Sequence, residues 1–221
     1  MDYATLQSVL RNVDPTLGFA VQSELLDPLW IDICLQDKTK WDRATAQNNY
    51  EIFRKGAEAG SPFAMCICSR FSLAGLGQSR SAEKALEWAA MAVACESALG
   101  HFEMGAFYQR GIGLPVHLDQ ARAHYLSSAK LGFGFAATQL AVMYQTGQFG
   151  SIDMASAIEY ATLAYQLNDA MAPLMIANWF ERGDSVAKNE EEAARWYLRA
   201  AGDWTHNFAK RRSYGSHHKW A

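Results

Sequence analysis

Apolar and small side chains recur along this chain at a fixed spacing of 36 residues. Four glycines follow this spacing, and so do four alanines that lie ten residues after them: Gly75, Gly111, Gly147 and Gly183, then Ala85, Ala121, Ala157 and Ala193. No insertion interrupts the register. A regular period of about 20 to 50 residues is typical of a repeat array, in which each repeat is one supersecondary unit stacked on its neighbours.

Within each repeat, positions three and four residues apart predict a first helix, which we call helix A. Its small positions begin at Ala64 and Ser69 and recur in the later repeats, while larger side chains such as Cys68 and Met104 share the same face. Small residues at fixed places indicate that two helices cross closely there. The periodic glycine, Gly75 in the first repeat, is predicted to end helix A as a left-handed cap.

A second helix, helix B, is predicted to follow each glycine turn. Ser81, Asp153 and Asn189 lie at equivalent positions and can cap its first turn. His117 holds that position in the second repeat and is a poorer cap, so helix B is predicted to begin near Asp119 there. Along helix B, small residues flank a position that holds a larger, ring-containing side chain. The repeated pairs therefore predict an all-α fold.

The repeat pattern also predicts how the chain is divided. Residues 50–60 resemble an earlier helix B, and residues 28–36 its helix A. We predict an N-terminal helical cap at 1–27 and a repeat array of about five helix pairs at 28–202. Residues 203–221 are predicted to hold a capping helix, from about 204 to 214, and a basic tail.

Composition narrows the classes of partner. The formal net charge is −3, which argues against general nucleic-acid binding. No apolar stretch reaches about 18 residues, so no membrane span is predicted. The first residues do not read as a secretory signal, and we expect a cytoplasmic protein. The cysteines are expected to be free thiols, with Cys66 and Cys68 buried as small apolar groups.

The residues at equivalent positions of successive repeats resemble the pattern of the Sel1-like repeat family, a branch of the tetratricopeptide-like α/α solenoids. The second repeat is similar to the family pattern at Met104-Gly105, Tyr108, Gly111-x-Gly113-Leu114, Asp119, Gln120-Ala121, His124-Tyr125 and Ser128-Ala129. The resemblance covers about residues 45–202. It implies a right-handed α/α superhelical solenoid of Sel1-like helix pairs with helical caps, and a protein-interaction role.

The sequence carries no motif for catalysis, cofactor binding or a metal site. It contains no G-x-S-x-G, no phosphate loop and no H-E-x-x-H. His101, His117 and His124 share one repeat, but they fall on helix A, in the loop and on helix B. Packing or surface roles are therefore expected for all three. We predict no catalytic residue, no cofactor and no metal ligand.

The face of helix A opposite the packing columns lines the concave groove in tetratricopeptide-like arrays, as the resemblance implies. This face carries an apolar stripe, including Met171 and Leu174, edged by polar groups. The predicted partner-binding residues are Arg70, Phe102, Gln109, Arg110, Thr138, Gln145, Asn178, Glu181 and Arg182. Aromatic, methionine and arginine side chains are the groups that protein interfaces favour.

These features predict a non-catalytic scaffold that binds a protein or peptide segment in the groove. Two roles fit the resemblance: a bacterial adaptor, or an immunity protein that neutralises a toxin. The alternative is a hydrolase-type enzyme that uses groove residues. The sequence indicates neither the partner's identity nor the oligomeric state.

Overall fold

The computed structural model describes residues 43–183 and 185–215, which form nine α-helices and no strand. The helices are α1 Arg43–Glu58, α2 Pro62–Ala74, α3 Ala82–Ala94, α4 Ala98–Arg110, α5 Leu118–Lys130, α6 Gly134–Gln145, α7 Met154–Gln166, α8 Ala172–Arg182 and α9 Glu190–Gly215. The chain forms two compact units, Met1–Gly100 and His101–Ala221. The predicted cap at 1–27 and the helix at 28–36 lie outside the described residues.

The periodic glycines end the four helices A as the sequence predicts. Gly75, Gly111, Gly147 and Gly183 have φ angles of +69°, +68°, +68° and +74°. This left-handed conformation costs a side-chain-bearing residue about 1–2 kcal/mol, and glycine avoids that cost. The left-handed glycine directly follows the last residue of α2, α4 and α8, whereas α6 ends one residue earlier, and Thr146 precedes Gly147 there.

Short polar side chains begin the helices B, and one prediction about them is wrong. Ser81, Asp153 and Asn189 each accept a hydrogen bond from the backbone N–H three residues later, at 3.1, 3.1 and 3.0 Å. His117 does the same, because its Nδ1 accepts from the N–H of Gln120 at 3.3 Å. The second helix B therefore begins at Leu118, directly after His117, so the expectation that His117 would not cap this helix is wrong.

The small columns lie where helices meet. In helix A, Ala64, Ala136 and Ala172 are at most 1% exposed, and Ser69, Ala141 and Ala177 are fully buried. In helix B, Ala85, Ala121 and Ala157 are also fully buried. A Cβ added to Gly105 would lie 2.8 Å from the ring of Tyr125, so α4 and α5 are closely packed. The predicted crossings are confirmed.

Overpacking one of these crossings should destabilise the protein. We expect Ala157→Leu, or Ala121→Leu, to lower the free energy of unfolding by about 1–3 kcal/mol, because a fully buried site has no space for the added carbons. Ala155→Leu is the matched control, since Ala155 is exposed on the same helix as Ala157. Urea denaturation followed by circular dichroism measures the difference. Equal stabilities of the Ala157 and Ala155 variants would contradict the crossing.

The last helix is continuous where the sequence analysis predicts two helices. α9 runs from Glu190 to Gly215 without interruption, so no turn separates a final helix B from a capping helix. A single glycine such as Gly202 costs a helix only about 1 kcal/mol, so it does not end α9. The capping role of residues 203–214 stays a prediction.

The cysteines of α2 are buried in the first unit. Cys66 and Cys68 are both fully buried, as predicted for small apolar side chains, and neither forms a disulfide bond. Burial raises the pKa of the Cys68 thiol to about 12, so the thiol stays protonated near neutral pH.

Candidate protein-binding site

A cleft of about 430 Å³ lies in the second unit, lined by side chains of α6 and α8 and by the residue that precedes α8. Its lining residues are Thr138, Gln145, Met171, Leu174, Met175, Asn178, Trp179 and Arg182. α6 and α8 are the first helices of successive repeats. The register of 36 residues therefore brings equivalent faces of two neighbouring repeats to one site.

The apolar lining combines exposed and buried side chains. Met171 is 57% exposed, whereas Trp179 is only 4% exposed. Trp179 belongs to the core cluster of this unit, together with Ile176, Ala177 and Trp196. The tryptophan is thus fixed by the core, and the methionine offers apolar surface to a ligand. Methionine side chains adapt to partners of different shape because they are unbranched and polarisable.

Polar groups of α8 are linked to the following helix. Tyr197 on α9 lies within hydrogen-bond distance of the Asn178 Oδ1, at 3.0 Å, and of a Glu181 carboxylate oxygen, at 2.7 Å. One hydroxyl proton serves one acceptor at a time, so the other oxygen can accept from a ligand. The hydrogen bond to Glu181 is the main reason that the pKa of Tyr197 is raised.

Arg182 supplies the positive charge of the cleft. Its side chain is exposed at the last position of α8. Among the residues that the structure describes, it forms no ion pair, whereas nearby Lys188 pairs with Glu190 at 2.7 Å. An exposed and unpaired guanidinium keeps five donors for a carboxylate or carbonyl group of a ligand.

Thr138 is held by an interaction with the segment that precedes α8. Its hydroxyl donates to one oxygen of Asp169, and the other oxygen accepts from the N–H of Met171 at 2.9 Å. Asp169 is 3% exposed and lies just before the helix, where a carboxylate is stabilised by the helix dipole. The threonine therefore has a structural role as well as a place in the cleft.

Three predicted partner-binding residues lie on α4 and do not line the cleft. Phe102 packs against Tyr125 and Phe133, with ring centroids 5.6 and 5.1 Å apart. Gln109 accepts a hydrogen bond from the Tyr125 hydroxyl at 2.8 Å and donates one to Gln148 at 3.0 Å. The third residue, Arg110, is exposed at the end of α4. The first two thus have intramolecular contacts that the sequence did not reveal.

The structure thus brings four of the predicted residues together, Thr138, Gln145, Asn178 and Arg182. Glu181 lies beside them on α8, and Arg70 is a half-buried residue of the first unit. Their binding role stays a prediction. Two lining residues were missed, Met175 and Trp179. Their large apolar side chains next to the packing column were the available signal, but the same pattern is typical of a core.

No group of three or more histidine, cysteine, aspartate or glutamate side chains within the described ranges is placed to hold a metal ion. None of the helices among these residues combines the length and apolar character needed to cross a membrane.

Four consecutive segments match the model of the Sel1 repeat, at residues 62–97, 98–133, 134–169 and 171–202. Together they cover more than half of the chain, and the first three are each 36 residues long, which is the period read from the sequence. Each segment of the described chain contains one helix A and the start or whole of one helix B.

The known proteins to which the chain is similar include one matched in sequence and two matched in structure. The chitin synthase regulator SKT5 of Saccharomyces cerevisiae is 34% identical over 111 residues, which are 48% of this chain and 16% of SKT5. A Sel1 repeat protein from Oxalobacter formigenes superposes with a TM-score of 0.64 and 23% identity, over 72% of this chain and 64% of that one. A protective antigen of uropathogenic Escherichia coli, displaying an SLR fold, gives 0.58 and 25%, over 69% and 33%.

These similarities confirm the predicted fold class, an all-α solenoid of helix pairs. The chain spans about a sixth of the yeast regulator and less than two thirds of either bacterial structure. What those proteins do as whole molecules is therefore not transferred with the fold.

Proposed function

Because the chain belongs to the Sel1 repeat family, whose repeats form protein-interaction scaffolds, we propose that it binds a segment of a partner protein in the cleft lined by α6 and α8. The observation that supports this proposal is the composition of the cleft. Its apolar surface, exposed at Met171, is bordered by amide groups and by the exposed guanidinium of Arg182. Apolar centres with polar rims are typical of protein-binding sites.

The lining indicates which chemistry a partner segment should present. A large apolar side chain would contact Met171, Leu174 and Met175. Side-chain amides, such as Gln145, carry both donors and acceptors and can bind the peptide backbone. A carboxylate near one end would pair with Arg182. We therefore propose a partner segment with an apolar anchor and an acidic group.

The proposed role is non-catalytic. The Thr138 hydroxyl is the only hydroxyl among the lining side chains, and the Asp169 carboxylate to which it donates is also bound by the backbone N–H of Met171. The hydrolase alternative therefore gains no support from this cleft. A cytoplasmic location stays the expectation from the sequence.

The proposal is compatible with two roles, an adaptor and an immunity protein. Both roles need an occupied cleft, but they differ in the consequence for the partner. An adaptor leaves the partner active and links it to a further protein, whereas an immunity protein abolishes the partner's toxicity. Assaying the partner's activity with and without the purified chain distinguishes them.

Introducing a negative charge at one side chain of the cleft provides the test. We expect Met171→Glu and Arg182→Glu each to weaken binding of a co-purified, isolated partner at least about tenfold, which corresponds to about 1.4 kcal/mol. Isothermal titration calorimetry measures the affinity, and the melting temperature should stay at the parent's value because both side chains are exposed.

Two matched controls make the result specific. Arg110 stands two periods before Arg182, at the end of the equivalent helix, but does not line the cleft. Met91 is an exposed methionine of the first unit, at 44%. Met91→Glu should bind like the parent, and Arg110→Glu measures separately whether the predicted role of Arg110 outside the cleft applies to this partner. If the cleft variants also bind like the parent, the partner binds elsewhere and the proposal is wrong.

A further inference from the structure

A pair of histidines in the second unit departs from the pattern of its repeat. His101 on α4 and His124 on α5 approach each other with their Nδ1 atoms 3.1 Å apart and their ring centroids 5.3 Å apart. Both side chains are half-buried. The sequence placed them on different elements and assigned them separate packing roles, but the packing of α4 on α5 brings them together.

Packing alone does not require imidazoles at these positions. One period later the equivalent residues are Ala137 and Tyr160. Tyr160 stacks on Tyr144 at 5.4 Å, in the same way that His124 stacks on Tyr108 at 5.5 Å. A tyrosine therefore fills the same place in the fold, and the histidine pair is a property of this repeat rather than of the array.

The spacing of the two nitrogens suits a shared metal ion. Two imidazole nitrogens about 2.05 Å from a tetrahedral zinc ion are about 3.3 Å apart, and two adjacent ligands of a square-planar ion are about 2.9 Å apart. The observed separation of 3.1 Å lies between these values. A shift of roughly 0.2 Å, well within side-chain motion, would accommodate either geometry.

The ring of His124 is already fixed in position. Tyr108 stacks on it with an interplanar angle of 18°, and the ring of Tyr108 also contacts His117 edge-on at 6.4 Å. His117 itself uses Nδ1 to cap α5. Pre-orientation of one ligand lowers the entropy lost when an ion binds.

We propose that His101 and His124 form a two-histidine binding site for a divalent transition-metal ion of the zinc or nickel class, with water completing its coordination. Imidazole nitrogen is a preferred ligand of these ions. Partial exposure of both rings gives water access to the remaining coordination positions. This site is distinct from the cleft, since neither histidine lines it.

Equilibrium dialysis of the full chain against Ni²⁺, and separately Zn²⁺, tests the proposal. The parent for this experiment carries His217→Ala and His218→Ala, because adjacent histidines in the tail are an alternative ligand pair. We expect about one ion bound per chain. His124→Tyr and His101→Ala, which copy the next repeat and should therefore fold, are each expected to weaken binding at least about tenfold.

The control is His117→Asn, which keeps the cap through an asparagine like that of Asn189 and should not change the affinity. Thermal melts show that each variant is folded. Parent affinity in both pair variants, an equal loss in His117→Asn, or no saturable binding up to about 1 mM metal would overturn the proposal. In the last case the pair is a hydrogen bond between two rings and nothing more.

Discussion

Replacing Gly77 with alanine should lower the free energy of unfolding by about 3 kcal/mol or more. Gly77 has a φ of +70°, and an alanine Cβ there would lie 2.4 Å from the carbonyl oxygen of Ala46 and 2.8 Å from the Cβ of Tyr50. The left-handed conformation costs about 1–2 kcal/mol. Overpacking against the backbone of α1 adds about 1–3 kcal/mol, because a helix backbone cannot rotate away as a side chain can.

A second glycine in the same turn separates the two contributions. Gly75 has a φ of +69°, but its added Cβ would lie 3.3 Å from the Cβ of Arg80, a side chain in an exposed loop position. Gly75→Ala should therefore lose only the conformational part, about 1–2 kcal/mol. Urea denaturation of both variants measures the difference, and hydrogen exchange locates it. Equal losses would show that α1 does not press on this turn; faster exchange confined to α1 in Gly77→Ala would support the contact.

Much of the fold could be predicted because a contact that recurs in every repeat requires the same type of residue in every repeat. The glycine turns and the small columns were read correctly, since a close helix crossing admits only small side chains and a left-handed turn favours glycine. Both constraints are local and recur in every repeat. A mistake in one repeat is therefore corrected by the other three, which is why the register could be read without knowledge of the packing.

The candidate site was harder to predict because residues at equivalent positions of three repeats make different contacts. Gln109, Gln145 and Glu181 are one period apart, and all were predicted to bind a partner. In the structure, Gln109 bonds to Tyr125 and Gln148, Gln145 lines the cleft, and Glu181 accepts from Tyr197. Periodicity shows that the three share a helix face. It does not show what lies opposite, which depends on side chains in other columns.

Histidines gave the same difficulty in another form. His117 was judged a poor cap by its residue type, yet its Nδ1 accepts the capping hydrogen bond. A neutral imidazole has one acceptor nitrogen, so it can replace asparagine wherever the ring fits. The contact of His101 with His124 joins two helices, and spacing along the chain carries no information about such a contact until the helices have been packed.

Truncating Trp179 should give the other large loss of stability and also define which cleft residues can be tested for binding. We expect Trp179→Ala to lower the free energy of unfolding by about 3–5 kcal/mol, because the side chain is 4% exposed and packs in the core cluster with Ile176 and Trp196. Met171→Ala should change stability by less than about 0.5 kcal/mol, as expected of an exposed side chain. Urea denaturation of the two variants checks both values.

The difference in stability between Trp179→Ala and Met171→Ala decides how a loss of binding is interpreted. In Trp179→Ala, a weaker complex would reflect a disturbed core as well as a missing contact, so that variant cannot identify a binding residue. Trp179→Phe keeps an aromatic ring in the core and should recover more than half of the lost stability. If Trp179→Ala proves as stable as Met171→Ala, the tryptophan is not held by the core. The cleft would then lack the rigid apolar wall on which a partner's anchor side chain is proposed to rest.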